Sequence, residues 1–504
     1  MKKFGFIAQL FATTALVCLA TAASSQTAPE YAADVPSNIT VPDRFETRLG
    51  VLEYSDGLPT EETVALAYDA LDLARGMTAF LDGMPAASTY AMCRGLEGVG
   101  LDRLSIGIFN DLYNARSLLL TPNTTTIYMF NCTDLSKGPV VLEVPPGILG
   151  LMDDVYMRYV TDIGNAGPDK GEGGKFLIVP PGYDGPLPES GYFIVTPPSN
   201  MNWFALRAFY GEDGVAARTA ELKQTVRVYP WDDRDAPAPT NFVDLTDKQF
   251  NTIHANDFSF FEEMKAVVDG EVPGALPEEL MGTLFSLGIR RGEPFEPDQR
   301  LRDTLGEAVA LGTAAARSLV FAPRSRAPFY YDDGYWKTAF VGGSHEFQLD
   351  DVKLLDARSL FHYYATGTTP AMVAQNVGVG SQYALVNRDS DGNYMDGAKT
   401  YSVTLPPDVP INNYWSFVVY DTQTRSLLET DQKLAGVDSK QPALTANEDG
   451  SFTIWFAPEP PEGKEGNWIQ TIPGKSWTTV LRLYGPLEPW FDGSWRPGEI
   501  ELRE

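Results

Sequence analysis

Histidine and cysteine are scarce in this chain of 504 residues, with three of each. His254, His345 and His362 lie far apart in sequence, so a zinc centre would have to be assembled from distant segments. Basic residues are also short, 39 Lys and Arg against 67 Asp and Glu, for a formal charge of −28. A surface this acidic repels phosphate backbones and anionic lipid heads, which makes nucleic acid and membrane surfaces poor partners and favours solubility. Past the N-terminus no apolar run approaches the roughly 20 residues that a bilayer demands. A phosphate loop is missing too. The glycine-rich run from Gly164 to Phe176, with Lys170 and Lys175, lacks the spacing and opens no helix, so it reads as a rim loop.

The N-terminus carries an address. Met1-Lys2-Lys3 precedes an apolar stretch from Phe4 to Ala20, and Ala20-Thr21-Ala22 then offers small residues ahead of Ala23, Ser24 and Ser25. This is the pattern of a secretory signal peptide over residues 1–25. Lipid attachment at Cys18 is disfavoured because Val17, not a small residue, precedes it. The expected mature protein is soluble, periplasmic or secreted, and not inserted in a membrane after cleavage. Loss of Lys2 and Lys3 takes its charge to −30. Only Cys93 and Cys132 then remain; an oxidising compartment permits a bond between them, and their spacing leaves the pairing open.

The length calls for more than one core. Apolar residues at helical spacing from Glu61 to Leu81, behind Thr60 as N-cap, predict an opening helix. From Thr124 to Tyr210 short apolar runs punctuated by Pro and Gly predict β-strands. Helical periodicity returns over Asp257–Val268, Pro277–Leu287 and Asp298–Val320, then over Asp350–Tyr364, and strands resume from Ser381 to Leu483. The expected fold class is mainly β with a helical insert, two jelly-roll or β-sandwich-like domains linked by an α-helical region. The expected domains are residues 40–240 with the leading helix, a helical middle region over 241–380, and a second sandwich over 381–504.

The two β regions look like duplicates. PVVLEVPP, VYMRYVTD ending at Asp162, KFLIVPPGYDG, GYFIVTPP, and Trp203 eight residues before Gly211 form one series. YSVTLPP, NYWSFVVYD ending at Asp421, SFTIWFAPEPPEG, NWIQTIP, and Trp477 eight residues before Gly485 form the other. One mismatch stands out. Arg207 follows its tryptophan by four residues and Arg482 by five, and one residue reverses a strand's face unless a bulge absorbs it.

TPNTTTIY, DLSKGPVVLEVPP, GGKFLIVPPGYDG and NMNWFALRAF, with YWSFVVYDTQTRSLLETDQ and the C-terminal NWIQTIPGKSWTTVLRLYGPLEPWFDGSWRPGEIE, are similar to the paired domains of unknown function 1254 and 1214 of exported bacterial proteins. The resemblance implies two β-sandwich or jelly-roll domains with helices between them, and no particular reaction. Many such proteins resemble Asn-x-Asp-Thr-Leu where this chain has Asn123-Thr124-Thr125-Thr126-Ile127, so a carboxylate role there does not transfer.

Candidate chemistry falls in four places. His254 and Asp257, near Glu262 and Glu263, could share a proton, although Asn256 or Asp257 capping a helix explains the pattern more simply. Asp421 and Arg425 could fix a polar ligand by bidentate bonding or merely hold a turn, as Arg158 with Asp162 would in the first domain. The loop containing Asn387, Asp389, Asp391 and Asn393 has calcium-like oxygen spacing, but Ala398 stands where the closing Glu belongs, and a hairpin turn suffices. No other cofactor motif is present. Trp415, Trp468, Trp490 and Trp495, with Tyr420 and Arg482, could line a site that stacks flat ligands, or fill a core.

The favoured reading is a protein that binds or processes a small polar or carbohydrate-like molecule in a cleft between the β-domains and the helical insert. Whether it is an enzyme stays open. The alternatives are an assembly protein of tandem jelly rolls acting as a homo-oligomer, and a metal-dependent hydrolase.

Overall fold

The computed structural model describes residues 31–503, so the secretory leader expected over residues 1–25 lies outside the described residues. Residues 31–68 belong to one compact unit and residues 69–503 to another. In the first unit Arg44–Thr47, Gly50–Ser55 and Leu58–Pro59 form a small antiparallel sheet. Thr60 accepts from the Thr63 amide at 3.2 Å, which caps the helix α1 (Glu61–Gly98) as its sequence suggests. That helix runs 17 residues beyond the predicted Leu81 and tolerates Pro85 within it.

The second unit holds two sandwiches. In the first, β1 (Ser105–Ile108), β2 (Ile127–Asp134), β3 (Val140–Val144), β4 (Ile148–Asp154), β5 (Tyr159–Gly164), β6 (Gly174–Ile178), β7 (Phe193–Val195), β8 (Met201–Ala208), β9 (Arg227–Pro230) and β10 (Asn241–Asp244) form two sheets. Their orders are β10-β1-β2-β8-β4-β5 and β7-β6-β3-β9. In the second, β11 (Ser381–Val386), β12 (Tyr401–Leu405), β13 (Ile411–Asp421), β14 (Gly436–Asp438), β15 (Phe452–Ala457), β16 (Trp468–Gln470), β17 (Trp477–Pro486) and β18 (Glu501–Leu502) form β11-β17-β13-β14 and β16-β15-β12-β18.

Strands β2 to β9 correspond one for one, in chain order and in sheet position, to β11 to β18. The parallel pair β6/β7 recurs as β15/β16. The duplication visible in the sequence is therefore a duplicated topology, with β1 and β10 added to the first copy. It shifts one correspondence: β13, ending at Asp421, matches β4, which ends at Asp154, and not the strand ending at Asp162. The parallel pair also distinguishes each sandwich from an all-antiparallel jelly roll.

Alternation sets the cores. Ile127, Met129, Phe204 and Leu206 face inward in the first sandwich, and Phe417, Val419, Trp477 and Leu481 in the second. The opposite faces of β2, β4 and β8, and of β11, β13 and β17, are also apolar, because a helical layer covers them. Tyr128, Phe130, Leu151 and Trp203 from one sheet and Val418, Tyr420 and Val480 from the other join a shared core. To it α1 adds Phe80 and Met84; α3 (Ser259–Gly270), Phe260 and Met264; α5 (Gln299–Phe321), Leu305 and Val309; and α6 (Leu355–Tyr364), Phe361 and Tyr363. The helices expected near 257–268, 277–287, 298–320 and 350–364 thus form, α4 being Glu278–Ser286. The 12-residue α2 (Gly214–Thr225) between β8 and β9 was not anticipated. Cys93 of α1 and Cys132 of β2 are bonded, which ties the helical layer to the first sandwich.

Close approach fixes one glycine. A Cβ on Gly95 in α1 would lie 2.1 Å from the Asn251 carbonyl oxygen, a backbone atom that cannot rotate away. Alanine would ordinarily favour a helix by about 1 kcal/mol. Here Gly95→Ala is expected to cost a net 1–3 kcal/mol, as overpacking does, measured as a lower denaturant midpoint; an unchanged or raised midpoint would contradict this packing.

Candidate functional site

Where the two outward sheet faces meet the helical layer, the shared core is incomplete and leaves a cavity of about 150 Å³. The first sandwich contributes Tyr128 and Phe130 from β2, Leu151 from β4, Asp162 from β5, and Trp203 and Arg207 from β8. Tyr383 and Leu385 of β11 and Val480 and Arg482 of β17 come from the second. Phe361 and Tyr364 of α6 complete the wall, and residues 365–372, which include the short α7 (Pro370–Val373), run across it. That crossing segment is anchored by the Thr368 amide, which donates to Asp153 at 2.8 Å, and by the Thr368 hydroxyl, which donates to the Met157 carbonyl at 2.9 Å. Gly367, at φ +81°, lets the chain pass against the Trp203 ring.

The polar inventory of this cavity is unusual in its sign. Arg207 sits opposite Tyr128 in the β8/β2 ladder, and Arg482 sits opposite Tyr383 in β17/β11, so the duplicated strands deliver equivalent arginines beside equivalent tyrosines. Arg482 is buried; its Nη2 donates to the Thr121 carbonyl at 3.0 Å while Nη1 has no acceptor among the described residues. The buried Trp203 Nε1 has none either. A buried guanidinium N–H without a partner is costly, because its desolvation is not offset. The one acid on the wall is Asp162. Burial pushes its carboxyl up to about 6, against the pull of hydrogen bonds with Thr369 and Tyr159 and of the Arg207 charge.

The structure separates the sequence candidates. Arg482 lines the cavity. Tyr420 supports it from behind: its hydroxyl donates to the Pro122 carbonyl at 2.7 Å, and its ring lies 5.7 Å from the Arg482 guanidinium. Trp415, Trp490 and Trp495 are buried in the core of the second sandwich, and Trp468 donates to the Ala457 carbonyl at 2.9 Å beside it. None of these four rings lines the cavity: Trp415, Trp490 and Trp495 are core packing, and Trp468 is half-buried on the edge strand β16.

Asp421 and Arg425 do not form the expected bidentate pair. The Asp421 carboxylate caps the Gln423 and Thr424 amides and pairs with Lys475 at 2.5 Å. Arg425 turns away, buried, with its guanidinium 4.1 Å from the centre of the Tyr363 ring. Arg158 likewise pairs with Asp154 at 2.6 Å instead of Asp162. His254 is buried among Phe80, Phe260 and Tyr363, and burial first, then the Arg425 charge, lowers it to about 3, so it stays neutral. Asp257 accepts from the Ser259 amide at 2.9 Å at the start of α3, the capping role.

In the loop after β11, Asp389 accepts from the Asp391 and Asn393 amides, and Asn387 accepts from the Lys337 ammonium and donates to the Phe321 carbonyl. The Asp389 carboxylate is thus spent on a hairpin turn and the Asn387 oxygen on Lys337. Among the described residues no cluster of three His, Cys, Asp or Glu side chains is placed to hold a metal.

Sequence reasoning missed Tyr128, Asp162, Trp203, Arg207 and Tyr383 as wall residues. The unequal Trp-to-Arg spacing was the available signal. Arg207 shares the cavity face with Trp203, whereas Arg482 lies on the face opposite Trp477, which fills the sandwich.

Fold and cavity together define a tandem, duplicated β-sandwich protein with a helical layer and a junctional pocket. Residues 105–230 match the family described as "Protein of unknown function (DUF1254)" and residues 380–488 the family described as "Protein of unknown function (DUF1214)". The chain thus carries the two domains as a pair, in the order its motifs suggested. The crystal structure of the VPA0106 protein from Vibrio parahaemolyticus is similar, with a TM-score of 0.54 and 16% identity over 86% of this chain and 100% of that one. A putative uncharacterized protein from Burkholderia cenocepacia aligns with a TM-score of 0.40 and 12% identity over 87% of this chain and 96% of that one. No curated protein matches. Among the described residues, no helix is long and apolar enough to cross a membrane.

Proposed function

We propose that this chain is an exported protein that takes up a small ligand in the cavity between its two sandwiches. The observation that carries the reading is the pair of orphaned buried donors, Arg482 Nη1 and Trp203 Nε1, on the wall of a space of about 150 Å³. An engineered, wholly apolar cavity of about that size accepts benzene, so the space suits a compact organic molecule of one ring or a short chain. Any stacking on a flat ligand would fall to wall rings such as Trp203 and Phe130, since Trp415 and Trp490 are in the sandwich core. Residues 1–25 supply the argument for export, and the Cys93–Cys132 bond suits an oxidising compartment.

A thermal-shift screen of small organic acids, amides, alcohols and monosaccharides tests this, because a ligand that binds only the folded chain raises its apparent stability. At a hundredfold excess over the dissociation constant the gain is about 2.7 kcal/mol. The expected hits lose their effect in Leu151→Trp, which fills the cavity while retaining the fold. Hits that survive that substitution, or no hit from any class, would contradict a ligand site there.

A further inference from the structure

The reading of the cavity as a ligand site can be taken to a chemical class. We infer that the ligand is a monoanion, a carboxylate on a short apolar body, clasped head-on between Arg207 and Arg482 with the Trp203 indole N–H as a further donor. This rests on the cavity being a binding site.

Buried cations in proteins are normally paired. Arg482 is buried and Arg207 half-buried, and they come from different sandwiches onto one cavity, opposite Tyr383 and Tyr128 in their respective ladders. Among the described residues neither forms an ion pair with a carboxylate, whereas Arg158, Arg300, Arg358 and Arg496 each do. Asp162 is the one acid on the wall. Two guanidinium charges against one carboxylate leave the empty wall one positive charge in excess when Asp162 is ionised, and a single ligand carboxylate neutralises it.

Hydrogen bonding points the same way. The unspent groups on buried wall atoms are donors, Arg482 Nη1 and Trp203 Nε1, and a carboxylate offers two oxygens with about four acceptor positions. The amide of the same shape offers one oxygen and adds an NH2 donor that would meet these N–H groups. The remaining wall carries hydroxyls and an amide, among them Asn123, Thr369 and Ser381, but no further charged side chain, and Phe130, Leu151, Phe361, Leu385 and Val480 offer a surface for a hydrocarbon body. Asp162 then acts as a discriminating residue, its charge weakening the field of Arg207 and disfavouring a dianion.

The test compares benzoate with benzamide and butyrate with butyramide by isothermal calorimetry, at fixed pH and ionic strength, on wild type, Arg207→Met, Arg482→Met, Arg482→Lys and Asp162→Asn. Each acid is expected to bind at least tenfold more tightly than its amide. Each Met variant is expected to lose at least tenfold for the acid and little for the amide, Arg482→Lys to fall between, and Asp162→Asn to bind the acid several-fold more tightly. Circular dichroism and the melting temperature establish that each variant is folded, and should a Met variant fail to fold, the acid-to-amide ratio and Asp162→Asn still decide the matter. Amides binding as well as acids in the cavity would overturn the anion assignment while leaving the ligand site standing. Neither acids nor amides competing for the cavity would overturn both.

Discussion

Replacing Cys93 and Cys132 by serine is expected to lower the stability of this protein by about 4 kcal/mol. The bond closes a loop of 39 residues between α1 and β2, and chain entropy alone predicts about that loss for a loop of this length. The location strengthens the expectation, since the bond joins two layers that share one apolar core, and both cysteines sit at that shared boundary. Serine there also places a hydroxyl among apolar neighbours. Denaturant unfolding of the double variant, and of wild type with and without reductant, reads the effect directly. Coincident midpoints for oxidised and reduced protein would show that the packing of α1 on the first sandwich does not need the tie.

Stability should also peak on the acid side, near pH 5. Burial raises Glu263 to about 8, Glu271 to about 7 and Asp162 to about 6, so the folded state holds these protons at a pH where the unfolded chain has released them. A raised folded value means that stability is gained as pH falls toward the unfolded carboxylate range, and lost as pH climbs through the folded value. His254 and His362 work in the other direction. Burial holds both near 3, so the unfolded chain takes up two protons below about 6.5 that the folded state refuses. Between pH 7 and 5 the three carboxyls outnumber the two imidazoles and stability rises. Below about 4.5 the unfolded carboxyls also protonate, the imidazoles dominate, and stability falls.

Glu263→Gln isolates the largest of these three carboxyl contributions. The side chain still offers an oxygen to the Ala255 amide, which Glu263 now receives at 3.2 Å, and it no longer has to be neutralised on folding. The variant is expected to be more stable than wild type by up to about 3 kcal/mol at pH 7, with the difference falling below about 1 kcal/mol at pH 5. Denaturant midpoints from pH 4 to 8 check both statements. A wild-type maximum at or above pH 7, or a Glu263→Gln gain that does not shrink with acid, would contradict the buried neutral carboxyl.

Much of the architecture is legible in the chain because period and punctuation encode it. The apolar runs from Thr124 to Tyr210 became strands, the 3.6-residue pattern after Asp257 became helices, and paired prolines after β3 and β12 marked the same turn in both copies. The continuation of α1 through Pro85 was not legible, since proline ordinarily interrupts a helix. The tryptophans misled for a physical reason. Their density signals a large apolar volume needing burial, and a sandwich core satisfies that as fully as a binding site does; Trp415 and Trp477 are wholly buried there. Arg207 looked like the odd member of an imperfect repeat. Its face becomes meaningful only when both sheets turn their outer surfaces toward a common helical layer, a relation between segments far apart in sequence.

An anion is expected between the two copies of the duplicated strand. Crystals soaked in 3-bromopropionate offer the most direct trial, because bromine is located by its anomalous signal independently of the protein phases. Bromine is expected against Phe130, Leu151 and Val480, with the carboxylate on Arg482 Nη1 and Arg207. A fully occupied bromine confined to the protein surface, or one in the cavity with its carboxylate turned away from both arginines, would contradict it.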